Sequence, residues 1–301
     1  MFEKDGRPVI FGEVLFDVFE DGGTVLGGAA FNVAWHLQGF GLRPLLISRI
    51  GQDKQGELAL MCMRQWDMDT RAVQIDPTYP TGRVDIAMQD GKPRYQIPLE
   101  QAYDKISRAM VNDLVSDLPC SLLYCGSLAQ RDAVSRQTLQ SLIRGQRLPV
   151  FVDINRRAPW LDEGSLGETL NAASYLKMNE AELASQTGER ISNESTLHQA
   201  AARLCQQYQI EHVIITRGDK GACHISAKGM QTASAQPTQR YIDNIGADDA
   251  FTAVTILGQI RQWPISETLL RANRFAARLC EQRGSLLAEP SVYADLLRQW
   301  A

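Results

Sequence analysis

Hydrophobic and polar positions along the chain divide it into short apolar runs and longer helical stretches. The run at residues 9–16 is nearly continuous in apolar residues and predicts a buried strand, whereas residues 30–37 read as a helix with little polar face. Further apolar runs, each followed by a helical stretch, lie at 44–50, 121–125, 150–153, 175–178 and 212–216. Short buried strands separated by helices predict an α/β fold: a mostly parallel, Rossmann-like sheet covered by helices on both faces.

Residues 71–98 depart from this alternation. Short β-prone pieces at 71–75, 82–88 and 93–97 are separated by turn signals, and Asp90-Gly91 is a strong hairpin signal between the last two. We therefore expect a small β-sheet, formed mainly by about 71–98, that projects as a lid from a single domain spanning 1–301.

Composition narrows the classes of function. The chain has 301 residues, 44% of them hydrophobic, which allows a substantial core. The net charge is -4 and the basic residues are scattered, so we expect neither a nucleic-acid partner nor a membrane surface. The N-terminus lacks the apolar core of a signal peptide, and the 6 cysteines form no Cys-x-x-Cys pair. These features predict free thiols and a cytoplasmic location.

Residues 243–251 are the most informative segment. Gly246 and Ala247 lead into a predicted helix at 248–260, whose first N–H groups lack intrahelical partners and favour an anion. Asp249 lies in the first turn of the same helix. An anion cradle beside a candidate base is what phosphoryl transfer to a hydroxyl needs. The alternative interpretation is that Asp248 and Asp249 only complement the helix dipole.

Polar residues also follow several predicted strands, at the sheet edge where ligands bind in such folds. These strand ends are at Asp17, at Asp153 with Asn155, at Asn179 with Glu182, and at Thr216 with Gly218. Together they favour a site over independent turns and caps. The segment Gly-x-x-x-x-Gly-Lys-Ser/Thr is absent, and so is a Gly-x-Gly-x-x-Gly after a strand, which argues against the P-loop and dinucleotide classes.

Two longer motifs suggest a family. Residues 27–34, followed by Gly39-Phe40-Gly41 and residues 49–53, resemble the N-terminal signature of the ribokinase-type, phosphofructokinase-B-like sugar kinases. Residues 243–251 resemble the C-terminal signature, and Asn179 with Glu182 fits the Asn-x-x-Glu motif. The segments at 12–17 and 153–160 look most like the fructokinase and 2-keto-3-deoxygluconate kinase branch.

The resemblance implies roles for individual residues around the sugar. Asp249 would be the base that takes the proton from the sugar hydroxyl, and the N–H groups of Gly246, Ala247 and Asp248 would form the anion hole. The residues implied to bind substrate are Asp17, Gly28, Asn32 and, for a substrate oxygen or carboxylate, Arg157. Asn32 stands in an otherwise apolar helix, where an amide without a partner would be costly.

The resemblance also implies ATP and Mg²⁺ as cofactors. Asn179 and Glu182 would organise the phosphates and hydrated Mg²⁺. Along the nucleotide would lie Thr216 and Gly218, with Asn273 near the adenine. Asp243 resembles the monovalent-cation site of some relatives, which would take K⁺. In several relatives the lid pairs subunits, so a homodimer through the lid is implied as well.

One residue departs from the family in a way that bears on activity. Asp248 stands where the signature has its second glycine, and Asn244 replaces the usual Thr. We expect Asp248 to point away from the anion hole as a helix cap. The expected activity is transfer from ATP to a primary hydroxyl of a ketose, fructose first. The alternatives are a 2-keto-3-deoxygluconate or nucleoside kinase, and a catalytically silent sugar- or nucleotide-binding protein.

Overall fold

A large central sheet organises the fold. The computed structural model describes residues 6–89, 92–155 and 163–301. Its strands are β1 (Arg7–Phe11), β2 (Leu15–Phe19), β3 (Thr24–Gly27), β4 (Leu45–Gly51), β5 (Val73–Asp76), β6 (Gly82–Gln89), β7 (Lys92–Gln96), β8 (Cys120–Gly126), β9 (Val150–Asp153), β10 (Ala173–Asn179), β11 (His212–Thr216), β12 (Ala222–Ser226) and β13 (Gly229–Ala233). The large sheet has 9 strands in the order β13-β12-β11-β10-β9-β8-β1-β4-β5.

The predicted parallel sheet is confirmed. All strand pairs from β5 across to β11 are parallel, and β12 and β13 add an antiparallel edge. Successive side chains of each strand point to opposite faces, so that Ile10 lies in one core cluster and Val9 and Phe11 lie in the other. Two apolar layers therefore sandwich the sheet, which is why its strands read as continuous apolar runs.

Helices cover both faces. They are α1 (Ala29–Gly39), α2 (Lys54–Gln65), α3 (Val111–Ser116), α4 (Ala133–Gln146), α5 (Glu163–Ala172), α6 (Glu180–Thr187), α7 (Glu194–Tyr208), α8 (Ala247–Arg261), α9 (Ile265–Leu279) and α10 (Pro290–Gln299). Helices α1, α2, α8, α9 and α10 pack on one face, and α3 to α7 pack on the other. Helix α1 is buried on all sides from Ala30 to Leu37, as its lack of a polar face predicts.

A second, smaller sheet has the order β3-β2-β6-β7. We call this sheet the lid. Its hairpin β6–β7 pairs antiparallel up to Gln89 and Lys92, as the sequence predicts, and the turn residues Asp90 and Gly91 lie outside the described residues. The lid draws its other two strands from residues 15–27, outside the segment from which we expected it to form.

One predicted strand was wrong in its extent, and another was assigned to the wrong sheet. The expected strand at 9–16 is two strands, because the chain leaves the large sheet at Gly12. There a Cβ atom would come within 2.5 Å of the Ala30 Cβ, so the chain passes against α1 and enters the lid. The piece predicted at 71–75 is β5, which pairs with β4 in the large sheet, where Arg49 and Asp76 form a 2.6 Å ion pair.

The state of the cysteines and the length of the helices also follow from the structure. All 6 cysteines are free thiols, as predicted. Within the described ranges, no helix combines the length and apolar character needed to cross a bilayer.

Candidate active site

A cavity of about 290 Å³ lies between the lid and the carboxyl edge of the large sheet. The lid supplies a roof that is apolar except for one carboxylate, because strand alternation points every second residue of β2, β6 and β7 inward. These are Leu15 and Asp17 on β2, Val84 and Ile86 on β6, and Tyr95 with the following Ile97 at β7. The opposite wall is polar and comes from α1, α8 and the loops after β8 and β9. The cavity thus has one face for C–H groups and one for hydroxyl groups.

Asp249 is the central group of the polar wall. Its carboxylate lies in the first turn of α8, is 7% exposed, and accepts a hydrogen bond of 2.7 Å from the Asn32 amide. Burial raises the pKa of Asp249 to about 7, and the charge of Asp153 adds to the rise, while the bond from Asn32 opposes it. A carboxyl group with a pKa near neutrality is suited to accept and release a proton at neutral pH.

Asn32 has protein partners at both ends of its amide. Its Nδ2 donates to Asp249, and its Oδ1 accepts a 3.1 Å hydrogen bond from the hydroxyl of Ser285. This explains how a polar side chain is tolerated in the apolar helix α1. Asn32 also lines the cavity, so it can orient the base and face a ligand together.

The start of α8 forms a turn of backbone donors. Gly246 precedes the helix with a φ of 76°, and a Cβ there would lie 2.5 Å from the Ser285 Cβ, so the position requires glycine. Of the three donors expected for the anion hole, the N–H of Ala247 already has an acceptor, because it donates to the Asn244 carbonyl at 3.2 Å. Gly246 and Asp248 line the cavity, and at this position in a helix their N–H groups have no intrahelical acceptor.

The side chain of Asp248 does not cap the helix. Its carboxylate forms a 2.6 Å ion pair with Nζ of Lys177, which is also 3.1 and 3.2 Å from the carboxylate oxygens of Asp153. The hydroxyl of Thr252 donates to Asp153 at 2.9 Å. Burial raises the pKa of Asp153 above its usual range, against the opposing charge of Lys177. Our expectation that Asp248 caps α8 was therefore wrong, because a closer cation competes for its carboxylate.

Asp17 and Gly28 also line the cavity, on the side of the lid. Asp17 lies within β2 of the lid. Our placement of Asp17 at the end of the first strand of the large sheet was wrong, because the chain leaves that sheet at Gly12. Gly28 has a φ of 108°, and a Cβ there would lie 2.8 Å from the Glu13 carbonyl oxygen. The buried Glu13 carboxylate accepts from the Ala29 N–H at 2.9 Å, at the start of α1.

The residues expected to hold the nucleotide lie at neighbouring strand ends, outside the walls of this cavity. Asn179 and Glu182 form a capping box at α6, with reciprocal backbone bonds of 2.9 Å. Thr216 pairs in register with Asn179 on the adjacent strand, and Gly218 follows with a φ of 58°. This edge of the sheet therefore continues from the cavity toward β11.

Two further candidates have structural partners. The Asn273 amide donates to the carbonyls of Ala233 and Ser234, both at 3.1 Å, and so ties α9 to the end of β13. Asp243 accepts from the N–H of Ile245 at 3.0 Å and of Gly284 at 3.2 Å. Arg157 lies outside the described residues.

Two charged side chains at this site were missing from the residues assigned from sequence. Glu13 and Lys177 both stand inside apolar runs, Lys177 between Leu176 and Met178. A charged residue in a buried strand needs a partner, and this signal was available in the sequence.

Comparison with known proteins identifies the family. The profile of the "pfkB family carbohydrate kinase" matches residues 18–291. The chain belongs to this family of carbohydrate kinases. It is therefore a phosphotransferase that uses ATP, and its fold is the ribokinase-like α/β fold.

Individual relatives of this carbohydrate kinase are distant. A fructokinase of Salmonella typhimurium is 26% identical over 97% of this chain and 98% of its own length. The fold matches a fructokinase of Xylella fastidiosa with bound ATP, with a TM-score of 0.85, 18% identity, and 99% of each chain covered. It also matches a fructokinase of Vibrio cholerae bound to fructose, ADP and calcium, with a TM-score of 0.78 and 24% identity, covering 98% of this chain and all of the other. The similarities to the two solved structures show the fold alone.

Proposed function

We propose that this carbohydrate kinase phosphorylates a neutral ketose, with fructose as the first candidate. The observation that carries the proposal is the position of Asp249: a buried carboxylate with a pKa of about 7, in the helix turn that also presents backbone donors to the cavity. The relatedness to a fructokinase over nearly the whole length of both chains supports fructose.

The reaction follows from this arrangement. Above its pKa, Asp249 accepts the proton of a primary sugar hydroxyl, and the hydroxyl oxygen forms a bond to the γ-phosphorus while the bond to the β,γ-bridging oxygen breaks. The N–H groups of Gly246 and Asp248 face the negative charge of the transferring group. The proton on Asp249 then passes to solvent. General base catalysis of this kind contributes roughly 10²–10⁴-fold to the rate.

The metal and the nucleotide fit the adjoining strand ends. Mg²⁺ bound to ATP keeps several waters and takes one or two carboxylates in addition to phosphate oxygens, so the single carboxylate of Glu182 near Asn179 is a suitable donor set. When bound, Mg²⁺ neutralises charge on the phosphates. We place the nucleotide along Thr216 and Gly218 toward Asn273, and a K⁺ ion at Asp243, as the family resemblance implies.

The charge of the cavity supports a neutral substrate. Among its described lining residues are four carboxylates and no cation. Asp248 is paired with Lys177 behind the wall, so the acidic character rests on the other three, Glu13, Asp17 and Asp249. Ionised carboxylates accept hydrogen bonds from hydroxyl groups and repel an anionic substrate. This favours a neutral sugar over 2-keto-3-deoxygluconate, for which Arg157 is the residue we would assign to the substrate carboxylate.

We further propose that the chain is one kinase domain with the lid as its substrate cover. Closure of the lid over the sugar would exclude water, which competes as an acceptor of the phosphoryl group. We also retain the prediction that the lid pairs two subunits, which light scattering of the purified protein would test.

Substrate identity is tested by ATP-coupled turnover across a panel. We expect fructose to give the highest kcat/KM among fructose, 2-keto-3-deoxygluconate, ribose and a purine nucleoside. A preference for the acid would assign Arg157 to substrate binding, and a preference for the nucleoside would assign the half-exposed ring of Tyr95 to a base. Either result would overturn the proposal of a neutral ketose.

A further inference from the structure

Lys177 is a buried cation that has no role in the reaction proposed above. It lies in β10 with 1% of its side chain exposed, directly across from Asp153 in the register of β9 and β10. A buried ammonium group requires a partner, and Asp153 already provides one with both of its oxygens. The ion pair with Asp248 is a second partnership, and it reaches from the sheet to the wall of the cavity.

Asp248 lies between Lys177 and the cavity. Its side chain is 49% exposed and lines the cavity, while its carboxylate lies 2.6 Å from Nζ of Lys177. Its backbone N–H belongs to the first turn of α8, where the γ-phosphate is placed by the proposed function. A carboxylate beside this turn with no cation close by would repel the incoming phosphate.

We propose that Lys177 is a positioning residue for phosphoryl transfer. It holds the Asp248 carboxylate toward the sheet and balances its charge, so that the turn at the start of α8 accepts the γ-phosphate although an acid stands where the family has glycine. The inference rests on the proposed function in one respect, namely that this turn receives the γ-phosphate of ATP.

Two other roles for Lys177 make different predictions. If it were only the structural partner of Asp153, its loss would affect every ligand through the fold. If it bound the phosphate directly, its loss would weaken phosphate binding whether or not Asp248 is present. Only the charge-balancing role predicts that removing the Asp248 carboxylate restores the phosphate affinity that is lost with Lys177.

The experiment compares two nucleotides by calorimetry in the presence of Mg²⁺. A non-hydrolysable ATP analogue carries the γ-phosphate group and ADP lacks it, so their affinity ratio reports on the turn at α8. Every protein in this comparison, including the reference, carries Asp153→Asn, because a buried carboxylate deprived of Lys177 would itself be destabilising. Thr252 can still donate to the remaining side-chain oxygen of the Asn.

In this background, Lys177→Met should weaken the ATP analogue by about 100-fold, roughly 2.7 kcal/mol, while ADP changes by less than about threefold. Adding Asp248→Gly to Lys177→Met should recover at least about tenfold of the loss for the analogue. Equal losses for both nucleotides, or no recovery by Asp248→Gly, would overturn the proposal.

Variants of the half-exposed Asp248 provide a second test that leaves the buried charges in place. With Lys177 present, Asp248→Gly and Asp248→Asn should strengthen binding of the analogue by no more than about threefold, because the carboxylate is already balanced. A gain of about 30-fold would show that Asp248 repels the phosphate in the native protein and would refute the role of Lys177. Absence of sugar turnover with these binding results intact would count against the proposed function alone.

Discussion

The hydrogen bond between Asn32 and Asp249 should set the pH at which the enzyme works. Asn32→Leu removes the donor that lies 2.7 Å from the Asp249 carboxylate and keeps a side chain of similar size. A hydrogen bond to a charged group stabilises it by about 1.5–3 kcal/mol, and one pKa unit corresponds to about 1.4 kcal/mol. The pKa of Asp249, about 7 in the native protein, should therefore rise by roughly one to two units.

The consequence is a displaced pH profile. At pH 7 about half of Asp249 is ionised in the native enzyme, and in Asn32→Leu roughly 1–10% should be ionised. We expect kcat at pH 7 to fall by about 5- to 50-fold and to recover at high pH, because only the ionised form accepts the proton. The assay is kcat from ATP-coupled turnover between pH 5.5 and 9.5.

A matched control lies in the same network. Ser285→Ala removes the bond to the other end of the Asn32 amide and leaves the donor to Asp249 in place, so its pH profile should move by much less. If Asn32→Leu lowers kcat by the same factor at every pH, Asn32 does not tune the base and the reasoning is refuted.

Three further variants probe the site. Asp249→Asn should lower kcat by roughly 10²–10⁴-fold, and it should raise the melting temperature at pH 8 but not at pH 4. Between about pH 4 and pH 7 the folded state keeps a proton on Asp249 that the unfolded state has lost, so the native protein loses stability as the pH rises through this range. Asn carries no charge and avoids this loss, so an unchanged melting temperature at pH 8 would contradict the raised pKa of Asp249. Asp17→Ala should weaken sugar binding by about 1–3 kcal/mol with ATP affinity preserved, as measured by calorimetry, and equal sugar affinity would remove Asp17 from the site. Gly246→Ala should lower the free energy of unfolding by at least about 1 kcal/mol in urea titrations, because its φ is 76° and the added Cβ meets Ser285; a neutral effect would show that the turn adapts.

Much of the fold could be predicted from sequence because its buried strands and helices stand out as separate apolar runs along the chain. Buried parallel strands such as β8 and β11 read as continuous apolar runs, and α1 has no polar face. The boundary between the large sheet and the lid was not predictable in this way. Apart from Gly12 and Glu13, residues 9–16 are apolar, because β1 lies in the core and Leu15 and Phe16 of β2 are also buried. The apolar residues on both sides of Gly12 therefore read as one strand although the chain changes sheet there.

In the site, too, some features could be predicted from local sequence and others could not. Asp249 and Gly246 lie in one short segment, and local chemistry was sufficient to single them out. The partnership of Asp248 with Lys177 joins residues 71 positions apart and depends on the register of β10 against β9 and on the packing of α8. The burial that raises the pKa of Asp249 is likewise a property of the packed structure.

The central claim is that Asp249 is the base of a kinase that acts on a neutral sugar. The most direct measurement incubates the native protein and Asp249→Asn with ATP, Mg²⁺ and fructose at pH 8 and detects sugar phosphate by ³¹P NMR. We expect the native protein to form one fructose phosphate per ADP, and Asp249→Asn to react at a rate at least about 100-fold lower with nucleotide affinity retained. Equal rates for the two proteins, or nucleotide binding without any sugar phosphate across the panel, would contradict the assignment of Asp249 as the base of a sugar kinase.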